Sequence, residues 1–138
     1  MESVLPVTSF MAASLGILMF LLTWLVSMRR AVLGKQAGDI GKFVFGDGDD
    51  ETLRRRIRAF GNFVEYSPYA LVMVALIELQ HAPNSLLWSL AAAFVIGRIV
   101  HAIAMLYNPR FPLPRALAMF TTYGCLLIPG AWMLLNTV

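Results

Sequence analysis

The chain has 138 residues, enough for a single domain spanning 1–138. Hydrophobic residues make up 59% of it and charged ones 14%, where a soluble domain carries about 25% charged residues, so a soluble globular protein is excluded. The net charge of +3 does not point to nucleic acid, because no zinc-ligand pattern and no basic helix backed by polar surface accompanies it.

The first apolar run, approximately 4–28, is uncharged, and a bilayer core of roughly 30 Å needs about 20 helical residues, so this run spans. Met1-Glu2-Ser3 lacks the basic start of a secretory signal, and the run is too long for one. Residues 29–53 are polar, include Gly46-Asp47-Gly48-Asp49-Asp50-Glu51, and read as a cytoplasmic loop. Asp50 or Thr52 is placed to cap the helix that follows.

A second span covers about 54–79 and ends in Gln80-His81-Ala82-Pro83; a third covers about 86–107. Asn108 to Pro114, with three prolines, reads as a short stiff connection. A fourth span runs over about 115–137 and carries Pro129-Gly130, a pair that kinks helices. The expected fold is therefore all-α, an integral membrane four-helix bundle with left-handed up-down topology. Ten of the eleven Lys and Arg residues lie at 29–58 or 110–115. By the positive-inside rule those loops are cytoplasmic and both termini lie outside. Cys125, the lone cysteine, forms no intrachain disulfide and reads as a small apolar helix residue.

Ionisable groups interrupt the apolar spans. On the second, Arg58, Asn62 and Glu65 stand at i, i+4 and i+7, within an arc of about 60°, with Tyr66 at its edge. On the third, Arg98 and His101 share a face; on the fourth, Arg115 and Thr122 do, with Tyr123 at the edge. At about 1.5 Å per residue, these groups converge in the cytoplasmic half of the membrane. An ion pair of Arg98 with Glu65 would account for two of them. The remainder favours a net basic polar pocket, because an intramembrane charge costs at least ~2.5–3.5 kcal/mol and persists where it is paired or lines a wet cavity. Arginine forks bind carboxylates and Glu65 binds an ammonium, so a small molecule with two carboxylates and one amine fits. Four helices are few to enclose such a site, which suggests an oligomer, and Ala91-Ala92-Ala93 with Gly97 suit close helix contact. No metal site is expected. Glu78 and His81 fall near the outer interface and read as structural, and Arg54-Arg55-Arg56 as an anchor beside anionic lipid.

The stretch Arg58-Ala-Phe-Gly-Asn62-Phe-Val-Glu65-Tyr66-Ser-Pro68 resembles the signature of the MAPEG superfamily, the membrane-associated proteins in eicosanoid and glutathione metabolism. Arg29-Arg30-Ala31, Gly97-Arg98 and His101 look similar to that family too, and the acidic Gly-Asp loop looks like its small bacterial members. The resemblance implies a homotrimer in the inner membrane with glutathione as co-substrate, held between subunits at a site open to the cytoplasm. It implies that Arg29, Arg58, Asn62, Glu65, Tyr66, Arg98 and His101 bind glutathione. It further implies that an arginine near the fourth helix, Arg115 or, as second choice, Arg110, stabilises the thiolate. The implied activity is a glutathione S-transferase or peroxidase acting on a lipophilic small molecule that arrives through membrane lipid. Met105 stands where eicosanoid enzymes of the family have a tyrosine, so a non-catalytic glutathione- or lipid-binding scaffold of the same fold is the alternative. A transporter or proton relay is disfavoured, because beyond Glu65 the second helix is mostly Leu, Val, Met and Ala, where a conduit would need polar lining across the outer half.

Overall fold

The computed structural model describes residues 4–107 and 112–136. Four helices account for nearly all of them: α1, Pro6–Gln36; α2, Glu51–Leu79; α3, Asn84–Tyr107; and α4, Pro112–Asn136. Each is long and apolar enough to cross a bilayer. A short 3-10 turn, Ile40–Phe43, lies between α1 and α2.

Two boundaries differ from the expectation. The loop expected over 29–53 begins only after Gln36, since Arg29, Arg30, Ala31, Leu33, Lys35 and Gln36 are good helix formers and α1 continues through them. It stops at Gly38, which takes φ +68°. There the Gly38 N–H donates to Lys35 O and the Asp39 N–H to Gly34 O, satisfying the last carbonyls of the helix. The chain then folds back so tightly that a Cβ on Gly34 would stand 2.8 Å from Ile40 Cα. At the other end of the chain, Pro112 and Pro114 are not part of the connection but of the first turn of α4. Proline is tolerated there because those N–H groups have no intrahelical partner.

α2 starts on Asp50, whose carboxylate accepts from the Leu53 N–H at 2.6 Å. The helix passes through Pro68 without interruption. At the far side Glu78, 8% exposed, reaches across to the start of α1. Its two carboxylate oxygens accept from the Val7 N–H at 2.9 Å, the Thr8 N–H at 2.8 Å and the Thr8 hydroxyl at 2.6 Å. An intramembrane carboxylate is thus spent on the positive end of the α1 dipole and on N–H groups that lipid cannot satisfy. The structural reading of Glu78 holds: its carboxylate caps α1.

α2 and α3 form the centre, and α1 and α4 flank them without touching each other among the described residues. Phe63, Ala70, Val74 and Ile77 of α2 and Leu87, Ala91, Phe94 and Val95 of α3 belong to one buried apolar core. Large apolar side chains such as Phe20, Trp24, Ile103 and Leu127 face outward, as lipid requires. Lipid gives helices no hydrophobic reason to associate, so close packing at small residues matters. Gly97 marks the closest such approach: a Cβ there would fall on the Thr121 hydroxyl and within 3.4 Å of Ala118 O. That contact brings α4 alongside the buried polar part of α3.

Candidate functional site

The site begins with Arg98, one residue beyond Gly97 and 2% exposed. Its Nη1 donates to Asn62 Oδ1 on α2 at 3.0 Å. Its Nη2 donates to the Thr122 hydroxyl on α4 and approaches Met119 Sδ at 3.5 Å. The guanidinium lies over the rings of Phe94 and Tyr66, 5.4 and 5.8 Å from their centroids. One side chain therefore ties α2, α3 and α4 together. The ion pair of Arg98 with Glu65 is not formed: Arg98 is held by neutral groups, and Glu65 stays at the exposed surface of α2.

This arrangement orients Asn62. A guanidinium only donates, so the amide oxygen must face Arg98 and the N–H2 must face away. Away from Arg98 lies a cavity of about 460 Å³ between α2, α3 and α4, a usual size for a small-molecule site. Its polar walls are Arg58, Asn62, Glu65, His101 and Arg115, with Ile57, Gly61 and Met105 completing it. Two arginines and a histidine thus face one carboxylate. Arg115 Nε is buried with no hydrogen-bond partner, and so is Arg98 Nε. Among the described residues no cluster of His, Cys, Asp or Glu is suited to a metal ion.

Of the residues singled out in the sequence, Arg58, Asn62, Glu65, His101 and Arg115 are brought together in one wall. Arg98 and Tyr66 sit behind that wall, as a pair in cation–ring contact. Arg110 lies outside the described residues. Arg29 is not brought to the cavity. Its Nε and Nη2 donate to the two oxygens of Asp50 at 3.0 and 2.6 Å, a bidentate pair that locks the end of α1 to the start of α2. With the Arg29 guanidinium on it and the Leu53 N–H behind, Asp50 is held down at about 2. Tyr123 is half exposed and meets only the edge of Phe120 among aromatic partners.

Gly61 is the wall residue that charge-based reading passes over. It stands three residues after Arg58 and four before Glu65, on the same helical face, so the helical period alone points to it. Nothing lies within 4 Å of where its Cβ would be, so the missing side chain is part of the open volume. Met119 escaped for a different reason: a thioether gives no polar signal in sequence.

The profile of the MAPEG family matches residues 8–135. Inner membrane protein YecN of Escherichia coli strain K12 is 32% identical over 60 residues, which are 44% of this chain and 46% of that protein. YecN of Escherichia coli O6:H1 matches over the same shares. The matched stretch therefore covers about half the length of these curated relatives. No solved structure matches the chain.

Proposed function

Because this chain belongs to the MAPEG family, a family associated with glutathione, we propose that it is a glutathione-dependent transferase or peroxidase of the inner membrane. The observation that carries this reading is the single cavity in which Arg58, Asn62 and Glu65 of α2 meet Arg115 of α4. Glutathione brings two carboxylates, one ammonium and a thiol. Arg58 and the Asn62 N–H2 take carboxylate or peptide oxygens, and Glu65 takes the ammonium. Arg115 stands beside the sulfur, where a fixed cation stabilises the thiolate and raises its fraction. The proton leaves the thiol for solvent. The thiolate then forms a bond to an electrophilic carbon as the leaving group departs, or attacks the terminal oxygen of a peroxide. In the second case the O–O bond breaks, glutathione becomes its sulfenic acid, and the alkoxide takes a solvent proton to leave as an alcohol. A second glutathione thiol then turns the sulfenic acid into the disulfide and water.

In the same reading the basic loops lie in the cytoplasm, both termini outside, and the protein works as a homotrimer that closes the cavity, which is open in a single chain. Arg29 belongs in this account to the α1–α2 lock, not to the ligand. Met105 favours a second reading. It places a thioether in the cavity wall one turn beyond His101, where a hydroxyl would otherwise assist chemistry, so binding without turnover is the alternative.

Calorimetric titration with glutathione, followed by an assay of conjugation to chlorodinitrobenzene and reduction of a lipid hydroperoxide, separates the two. Saturable binding with turnover supports the transferase, and Arg115→Ala then retains binding and loses nearly all turnover. Binding with no product from either substrate establishes the second reading. No binding sinks both.

A further inference from the structure

The three consecutive arginines at the start of α2 are not equivalent. Arg54 is bonded to Asp47 and Asp49, and Arg55 to Glu51. Arg56 has no carboxylate partner among the described residues; its Nη1 donates to Leu25 O of α1 at 2.6 Å. Asp50 lies within its electrostatic reach, but that carboxylate is already occupied by Arg29 and the Leu53 N–H. The charge of Arg56 is left unmatched at this end of the α1–α2 lock.

Arg56 and Thr52 line a cavity of about 240 Å³ together with Leu25, Leu106 and Tyr107. The last three also wall a second cavity, about 370 Å³ and almost wholly apolar, between Ser14–Leu25 of α1 and Ile99–Tyr107 of α3. With shared walls, the two form one groove, hydrocarbon-lined along its length and ending in a guanidinium, a hydroxyl and a phenol. From Ser14 to Leu25 the groove runs roughly 16 Å at ~1.5 Å per residue, about one leaflet of a ~30 Å core. Its polar end lies where α1, α2 and α3 approach one membrane surface.

We propose that this groove holds one anionic glycerophospholipid, an acyl chain between α1 and α3 and its phosphodiester on Arg56. The charge that is unmatched within the chain is matched by the headgroup, and the apolar length matches the leaflet. The site lies on a different flank from the cavity of Arg58 and Arg115, shares no residue with it, and stands whether or not glutathione binds.

The test is native mass spectrometry of the purified protein in mild detergent, titrated with phosphatidylglycerol and phosphatidylcholine of identical chains. Phosphatidylglycerol is expected to be retained about tenfold better, because the choline cation of phosphatidylcholine offsets the negative charge that its phosphodiester brings to Arg56. Arg56→Gln should erase that preference and Arg56→Lys should keep most of it. Arg55→Gln, whose guanidinium already has Glu51, should leave it unchanged. Ile103→Trp, an outward-facing groove residue, should lower retention of both lipids. The proposal is overturned if wild-type protein shows no preference, or if Arg55→Gln acts like Arg56→Gln, which marks diffuse attraction. It is also overturned if Ile103→Trp changes the number of subunits in the particle and leaves lipid retention intact, because a second copy then fills the groove.

Discussion

Arg98 on α3 and Asn62 on α2 are joined by a 3.0 Å hydrogen bond from Nη1 to Oδ1, and that bond decides what Asn62 shows to the cavity. Because the amide oxygen is used on the buried side, the cavity side receives two donors. Under the proposed function Arg98, 2% exposed, is thus a positioning residue that would act on glutathione through its neighbour.

Arg98→Lys should weaken glutathione binding about tenfold while leaving turnover at saturation nearly unchanged. A lysine ammonium lacks the planar fork that reaches Asn62 and Thr122 together. Kd from calorimetry and the KM-against-kcat split check this; a fall in kcat with unchanged KM would place Arg98 in the chemistry. Thr122→Val should cost about 1–3 kcal/mol of stability, by leaving a buried guanidinium N–H without its acceptor.

Gly61→Leu should leave the fold intact and abolish glutathione binding. The new side chain enters open space, since nothing lies within 4 Å of its Cβ, and that space is the cavity wall beside Asn62 and Glu65. Unchanged helicity by circular dichroism together with a lost calorimetric signal is the expected pair of results.

Gly97→Ala should do the reverse, disturbing the bundle first. Its Cβ would fall on the Thr121 hydroxyl, forcing α3 and α4 apart and pulling Thr122 from Arg98. A lower midpoint in detergent-induced unfolding is expected, and Thr121→Ala combined with Gly97→Ala should recover part of it. Full additivity of the two changes would disprove the contact.

Asp50→Ala should cost about 1 kcal/mol through the lost α2 cap, in addition to releasing Arg29. Asp50 titrates at about 2 in the fold against an ordinary 3.8. A lowered folded value means that its contribution is complete above about pH 4 and disappears as pH falls through about 2; raising the pH costs nothing. Unfolding midpoints measured from pH 6 to 2 should therefore show an acid-sensitive component in the wild type that Asp50→Ala lacks.

The four helices and the convergence of polar groups were legible in the sequence for one reason: lipid admits only helices as lone spans, and the helical period puts Arg58, Asn62 and Glu65 on one face whatever surrounds them. Depth counting placed Asn62, Arg98 and Thr122 at a similar level, and hydrogen bonds from Arg98 join the three. Partner choice was not legible in this way. Arg29 and Arg98 look alike as basic residues near helix faces, yet one is consumed by Asp50 and the other by Asn62 and Thr122. Which acceptor an arginine meets depends on how neighbouring helices are rotated and how closely they pass, and Gly97 sets that passage for α3 and α4. Glu78 shows the same division: its position near one surface follows from counting, but its role as the cap of α1 exists only because α1 and α2 lie side by side. Periodicity and the cost of burying charge determined where the polar groups had to gather. Packing alone decided which of them are bonded to one another and which are left lining the cavity.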